Sequence, residues 1–279
     1  AGTDAALAMA MGHVMLRENY VERQVPAFTD YVRQYTDLPM LVTLVEHPDG
    51  HGLTAAKFLT AADLDGVSTS PTNGKLDDAF ATVLWDAATN APAVPNGTMG
   101  HRYSEGGQGT WNLELGDLDP ALSLLNVPGA EPVEIALPCF EDPRGEGTII
   151  RRGVPAVRVG DRLVTTVLDL MLAQYGVGRP GLPGAWPTDY DDETGAYTPA
   201  WQETITNVPA AQVERVAREF AQNAADTQGR SMILMGAGTN HWYHSDLIYR
   251  TMLMLTTITG CQGRNGGGWA HYVGQEKAR

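Results

Sequence analysis

An α/β fold, built from Rossmann-like doubly wound sheet units and interrupted by an irregular Gly/Pro-rich insertion with short strands, is what this 279-residue sequence predicts. Two observations carry the expectation. Late in the chain, the apolar run Met232, Ile233, Leu234, Met235 leads through Gly236-Ala237-Gly238 into a mostly apolar helical pattern. With the amphipathic helix ahead of it, this reads as helix, strand, glycine turn, helix, the repeating unit of a doubly wound sheet. Between about 47 and 150 the texture changes: "HPDGHG", "SPTNGK", "NAPAVPNGTMG" and "EGGQGTWNLELGDLDP" are dense in Gly, Pro, Asn and Asp, so turns and short hairpins are expected there. Three segments follow: 1–46, a helix and strand of the core; 47–165, the irregular insertion; and 166–279, the Rossmann-like part.

Taken in order, residues 3 to about 18 carry Leu7, Met11, Val14 and Met15 at helical spacing, while Ala5, Ala6, Ala8 and Ala10 leave hardly any polar face. Such a helix belongs between neighbours. Thr3 or Asp4 is its expected N-cap, and the same first-turn amides could instead hold an anion. Residues 26–37 read as a more polar helix, and the apolar run 40–45 as a buried strand. A short strand is expected at 133–137. In "AVRVGDRLVTTV" two alternating runs flank Gly160-Asp161 as in a hairpin, and a short helix follows at 168–175. Val213, Val216, Ala217, Phe220 and Ala224 mark one face of a helix from about 209 to 226, with Pro209 and Gly229 as boundary residues. A strand over 231–235 and a helix over 245–259 complete the pattern.

Composition narrows the function classes. Apolar residues at 43% with 19% charged describe a packed globular chain. The balance of 33 acidic against 19 basic residues gives a net charge of -14, which repels a phosphate backbone, so no nucleic-acid partner is expected. Cys139 and Cys261 form no Cys-x-x-Cys pair and read as isolated thiols. No stretch reaches the roughly 18 to 20 apolar residues of a membrane span. The opening "AGTDAALAMAMGHVML" has neither an initiator Met nor a signal peptide and reads as a cut through a longer polypeptide.

The chemistry concentrates in two stretches. Strand-to-helix Gly-x-Gly turns offer backbone amides to phosphate, yet the third glycine of a nicotinamide-dinucleotide fingerprint would fall at position 241, which is His241. His241 and His244 lie three apart without the further ligands that zinc needs, and "HPDGH" at 47–51 reads as a solvated turn. The tail "TGCQGRNGGGWAHYVGQ" holds six glycines within fifteen residues, with Arg264, Asn265, Trp269 and His271 among them. Clustered glycines signal positive φ or a backbone pressed against something bulky, and a polar ligand cradle fits better than a linker. No Gly-x-Ser-x-Gly elbow, Walker loop or His-Glu-x-x-His is present. The residues alone thus reach part of an α/β enzyme that binds a phosphate-bearing cofactor.

Three stretches, "GTDAALAMAMGHVML", "GRSMILMGAGTNHWYH" and "GGGWAHYVGQEKAR", together resemble the catalytic alpha subunits of respiratory nitrate reductases in the molybdopterin oxidoreductase superfamily. "FTDYVRQYTDLPMLV", "LVTTVLDLMLAQYG" and "AYTPAWQETITNVP" extend the resemblance over most of the chain. It implies molybdenum held by two molybdopterin guanine dinucleotides, with nitrate reduced to nitrite. It also implies that Gly236, Gly238, Asn240 and His241 line the pterin or its pyrophosphate. Gly266, Gly267, Gly268 and His271 would form an adjoining wall, and Gly2, Thr3 and Asp4 would meet a dinucleotide end. No catalytic residue or metal ligand is expected here, because the family's aspartate ligand and iron-sulfur cluster ligands lie upstream of the matching stretch. The implied partners are an iron-sulfur beta subunit and a membrane haem gamma subunit, which would hold the complex at the membrane, on its cytoplasmic face. Alternatives are a selenate, chlorate or formate type of the same superfamily, and a non-catalytic scaffold of the same fold. Taken alone, the chain is expected to be inactive and to self-associate through exposed apolar surface.

Overall fold

The computed structural model describes residues 2–48, 50–64, 81–95, 114–139 and 148–271. The chain divides into two compact units, one of Ala1–Tyr31, Tyr175–Gly178 and Trp186–Arg279, the other of Val32–Gln174 and Arg179–Ala185. Helices and strands are mixed, as an α/β chain requires, but they are distributed unevenly between the units.

The first unit is mainly helical. Helix α1 (Asp4–Leu16) buries Ala6, Ala8, Ala10, Met11, Val14, Met15 and Leu16, as its missing polar face dictates. Thr3 occupies the N-cap position, yet its side chain makes no capping bond; its carbonyl instead accepts from the Ala6 amide at 3.1 Å. The expected side-chain cap is therefore absent, because Thr3 sits at φ -105, ψ 8 rather than in the extended backbone of a cap. Glycine in mid-helix at Gly12 reflects close packing, since a Cβ there would lie 2.3 Å from the Tyr175 ring. Next to it, His13 Nδ1 donates to the Tyr175 carbonyl at 2.7 Å. A π-helical turn (Arg17–Val21) extends α1, and the buried Tyr20 hydroxyl donates to the Ile258 carbonyl at 2.5 Å.

Helix α2 (Pro26–Tyr35) leads out of this unit. In the barrel unit come strands β1 (Leu41–Glu46), β2 (Leu53–Phe58), β3 (Leu84–Asp86), β4 (Ala91–Ala93), β5 (Glu131–Cys139), β6 (Thr148–Val159) and β7 (Arg162–Thr166), then helix α3 (Val167–Gln174). Strands β1, β2, β5, β6 and β7 close into a barrel in that order; β2 and β5 run parallel and the other pairs antiparallel. Leu41, Val157 and Val164 from its strands pack with Leu59, Val83, Trp85 and Leu124 in one core cluster of this unit.

This corrects the expectation of an irregular insertion. Strands β5 and β6 run to 9 and 12 residues, and strands on both sides of position 46 join one sheet. Prolines hid them: Pro132 pairs with Pro155 across the ladder, and residues without an N–H read as breakers in sequence. Gly153 on β6 admits the Pro183 ring, 2.5 Å from where a Cβ would be. The hairpin at residues 160–161 forms as expected, with Gly160 at φ +61. "SPTNGK" and parts of the other Gly/Pro-rich stretches lie outside the described residues.

At the head of α3, Asp169 is fully buried. It accepts from Ser123 Oγ at 2.6 Å, from the Leu124 amide at 2.9 Å and from Arg179 Nη1 at 2.5 Å. Arg152, also buried, donates to the carbonyls of Ala185, Ala173 and Gln174 at 3.0, 2.8 and 3.1 Å.

Back in the helical unit, helix α4 (Pro199–Thr206) starts on Thr198, whose hydroxyl accepts from the Trp201 amide at 3.1 Å, with Pro199 just inside. Helix α5 (Ala210–Thr227) buries Val213, Ala217, Ala221 and Ala224. Val216, expected on that face, is 42% exposed; the buried stripe runs straight through 213, 217, 221 and 224 and leaves 216 at its flank. The helix ends on left-handed Gln228 and Gly229, at φ +57 and +97. Strand β8 (Met232–Met235), helix α6 (Ser245–Ile258) and strand β9 (Gly268–His271) follow. Since β8 and β9 are parallel, they form with α6 one β-α-β crossover. Among the described residues this two-stranded sheet is what stands for the expected doubly wound one.

Asp86 and Asp192 are among the carboxylates that make stability pH-dependent. Asp86 is held below the ordinary carboxylate range by the Thr89 hydroxyl and by the amides of Asp119, Ala88 and Thr89. Asp192 is held down to about 2, first by the Thr188 amide and then by the Thr194 hydroxyl. For depressed carboxylates the unfolded state binds more protons, so their contribution is complete above about pH 4 and is lost as pH falls through the folded values. Thermal unfolding of the full-length subunit should therefore fall in midpoint between about pH 4 and 2. Asp192→Asn should shrink that fall, and an unchanged acid limb would disprove the assignment.

Candidate functional site

Parallel pairing sets Met235 beside His271, so both strands of the β8–β9 sheet release their chains at the same end. Crevices outside the carboxyl ends of parallel strands are where open α/β sheets take ligands. From β8 the chain enters Gly236 and a single 3-10 turn (Ala237–Thr239), in which the Gly236 carbonyl accepts from the Thr239 amide and hydroxyl at 3.3 and 2.8 Å. Asn240, His241, Trp242, Tyr243 and His244 follow, all exposed.

The glycines here fall into two kinds. At Gly267 a Cβ would stand 1.9 Å from the Gly229 carbonyl oxygen. At Gly268, with φ +87, it would stand 2.9 Å from the Gln262 side-chain oxygen. Gly266 has φ +83, and on Gly2, at φ +80, a Cβ would stand 3.0 Å from the Trp242 ring. Local packing or backbone conformation accounts for all four. Gly236 and Gly238 differ: neither has positive φ, and a Cβ on either would meet nothing within 4 Å. Nothing in the fold demands glycine there, and the open space lies where a ligand's phosphate could reach the backbone.

Next to this turn stands an aromatic group. The Tyr249 hydroxyl, from α6, and His271 Nε2 are hydrogen-bonded at 2.8 Å. The Trp269 ring lies 5.1 Å from Tyr249 and 5.3 Å from His271, centroid to centroid. The Trp269 indole N–H is buried without a hydrogen-bond partner among the described residues, and an orphaned buried donor costs free energy until something accepts from it. Exposed apolar side chains rim the same sheet: Leu234 is 79% and Tyr243 94% exposed, although parallel strands are ordinarily covered on both faces.

Of the residues anticipated from sequence, 236, 238, 240, 241 and 271 gather at this end of the sheet, and the Gly2–Trp242 contact brings in the start of the chain. Thr3 and Asp4 are half-buried at the head of α1. Tyr249 and Trp269 are the additions. Trp269 was legible as an aromatic misplaced in a glycine tail, whereas Tyr249 hides in an apolar helical pattern. The His47 and His51 rings lie 5.3 Å apart, tilted by 57°, in their own turn in the barrel unit. Among the described residues no group of three or more His, Cys, Asp or Glu is placed to hold a metal ion, and no helix is long and apolar enough to cross a membrane.

Comparison with known proteins gives the site a context. A family model described as molybdopterin oxidoreductase matches residues 1–278. The nitrate reductase alpha subunit of Mycobacterium tuberculosis is 56% identical over 283 residues, covering 100% of this chain and 22% of that protein. The respiratory nitrate reductase 1 alpha chain of Escherichia coli is 46% identical over 300 residues, covering 100% of this chain and 23% of that protein. The perchlorate reductase subunit alpha of Dechloromonas aromatica is 29% identical over 288 residues, covering 99% of this chain and 23% of that protein. The chain thus spans between a fifth and a quarter of the length of these relatives.

Proposed function

We propose, since this chain belongs to the molybdopterin oxidoreductase family, that it supplies cofactor-cradling loops to the alpha subunit of a respiratory nitrate reductase. One observation carries the reading: a Gly-x-Gly turn that the fold leaves open at both glycines, at the shared carboxyl end of two parallel strands. The residues fit a large anionic cofactor. Their neighbourhood is rich in donors and includes the buried, unaccepted Trp269 indole N–H.

In this reading the cofactor is molybdenum bis(molybdopterin guanine dinucleotide), which when bound supplies two-electron oxygen-atom transfer, converting nitrate, two protons and two electrons to nitrite and water. The protein's part is to bind and orient. The turn at Gly236 and Gly238 lets backbone approach a pyrophosphate, Asn240 and His241 offer an amide and an imidazole to the pterin, and His271 with residues 266–268 walls the other side. Gly2, Thr3 and Asp4 address a dinucleotide end. The β8-α6-β9 unit is read as one piece of a wider doubly wound sheet, which would cover the exposed Leu234. Electrons arrive through an iron-sulfur beta subunit from a haem-bearing gamma subunit, so that membrane association, on the cytoplasmic face, comes through partners.

The test is nitrate-dependent oxidation of a reduced viologen dye by the molybdenum-replete full-length subunit. Nitrite formed in step with dye oxidation supports the reading. Turnover of chlorate, selenate or formate without nitrate reduction would move the assignment to a sister enzyme, a reading to which the 29% identical perchlorate reductase subunit lends some weight. Absence of molybdenum and of all four activities would favour a scaffold.

A further inference from the structure

We propose that Tyr249 is a positioning residue that fixes the tautomer of His271, so that His271 presents Nδ1–H as a hydrogen-bond donor to the pyrophosphate of the bound dinucleotide. The inference rests on the cofactor reading above and deepens it.

It starts from the 2.8 Å bond between the Tyr249 hydroxyl and His271 Nε2. Which imidazole nitrogen carries the proton is set by the bond made at the other. A phenol can donate or accept, but its O–H is the stronger partner in such a pair. With Tyr249 donating to Nε2, the proton of the neutral ring resides on Nδ1. That nitrogen has no hydrogen-bond partner among the described residues, and His271 is exposed. The ring is also held in place, with Tyr249 and Trp269 at centroid distances of 5.1 and 5.3 Å. Orientation and tautomer are thus both determined before any ligand arrives, which is how a preorganised site limits the cost of binding.

The chemistry of the neighbours points to the same kind of ligand. The Trp269 indole can only donate, and its buried N–H meets no acceptor among the described residues. The open turn at Gly236 and Gly238 adds approachable backbone. A His271 that offered an acceptor would be the odd member of this set; as a donor it completes a cluster suited to a ligand rich in acceptor oxygens. Tyr249 itself need not touch the ligand.

The experiment follows guanine nucleotide retained by the cofactor-loaded full-length subunit, released by acid and counted per polypeptide at intervals after dilution into mild urea. Tyr249→Phe keeps the ring that packs on Trp269 and removes only the O–H. It should lose nucleotide about fivefold faster than wild type, the effect of one hydrogen bond. His271→Ala should lose it at least as fast, and the double variant no faster than His271→Ala, because Tyr249 acts through His271. Equal retention in Tyr249→Phe and wild type overturns the proposal. So does the same factor for Tyr249→Phe in both backgrounds, which would mean that the tyrosine acts by packing. If Tyr249→Phe does not fold, His271→Ala still decides, because nucleotide release as slow as in wild type overturns the proposal. A wild-type subunit that holds molybdenum but no guanine nucleotide overturns the dinucleotide reading itself, a failure distinct from the others.

Discussion

Asp169→Ala should destabilise the full-length subunit by roughly 3–5 kcal/mol, the range seen when one partner of a buried ion pair is removed. The magnitude follows from what would be left behind. The Arg179 side chain is 4% exposed, and among the described residues its Nε and Nη2 have no hydrogen-bond partner and Asp169 is the one carboxylate its guanidinium meets. The same carboxylate accepts from Ser123 and from the Leu124 amide, which would lose their acceptor as well. Asp169→Asn keeps the shape and part of the bonding and should cost less than the alanine. Replacing the pair together, Asp169→Leu with Arg179→Met, should recover most of the loss, because it removes the buried charge instead of isolating it. Urea denaturation of the three variants checks the order, and an alanine variant within about 1 kcal/mol of wild type would show that water reaches Arg179 after all.

Gly267→Ala is expected to cost about 4 kcal/mol or more, at the extreme of single substitutions, whereas Gly236→Ala and Gly238→Ala should stay within about 0.5 kcal/mol. The contrast is geometric. A methyl group at 267 would fall 1.9 Å from one backbone carbonyl oxygen and 3.1 Å from another, those of Gly229 and Cys261, and neither can rotate away as a side-chain tip could. At 236 and 238 the methyl would enter empty space. If the open turn receives pyrophosphate, the two quiet variants should nonetheless lose bound guanine nucleotide, since the methyl keeps the phosphate from the amides. Stability and cofactor content would then separate: the first collapses at 267, and the second falls at 236 and 238. Normal cofactor content in both quiet variants would remove the turn from the site.

Those same glycines show what the sequence could convey. Clustered glycine at 266–268 signalled a backbone pressed against something, which is correct, but the something at 267 is the chain's own Gly229 carbonyl. Sequence reports that space is needed, and it does not report what fills it. Regular elements with a clean period were legible: α1, α5, α6, the β6–β7 hairpin and β8 lie close to where periodicity puts them. The barrel was not, because its longest strands contain Pro132, Pro138 and Pro155, and because its closure depends on strands far apart in the chain. Positions 236 and 238 were legible through the strand-turn-helix pattern, whereas 240, 241 and 271 received their expected role from the family resemblance. The Tyr249–His271 pair was not, since the link crosses from a helix to a strand 22 residues on.

The barrel unit sits inside the sequence of the helical unit, and this has a consequence for how the chain is made. Helix α1 leaves the ribosome ahead of the barrel and of the later helices, apolar on nearly every side, yet Tyr175, which seats Gly12 and receives the His13 bond, comes 162 residues after His13. The Ile258 carbonyl that takes the Tyr20 hydroxyl comes 238 residues after it. At about 5–20 residues per second that second interval lasts roughly ten to fifty seconds, long enough for the contiguous barrel strands to pair while α1 still lacks its permanent neighbours. During translation the vulnerable surface is therefore at the beginning of this sequence, and a holdase that masks α1 until α6 appears would protect the whole chain from premature association.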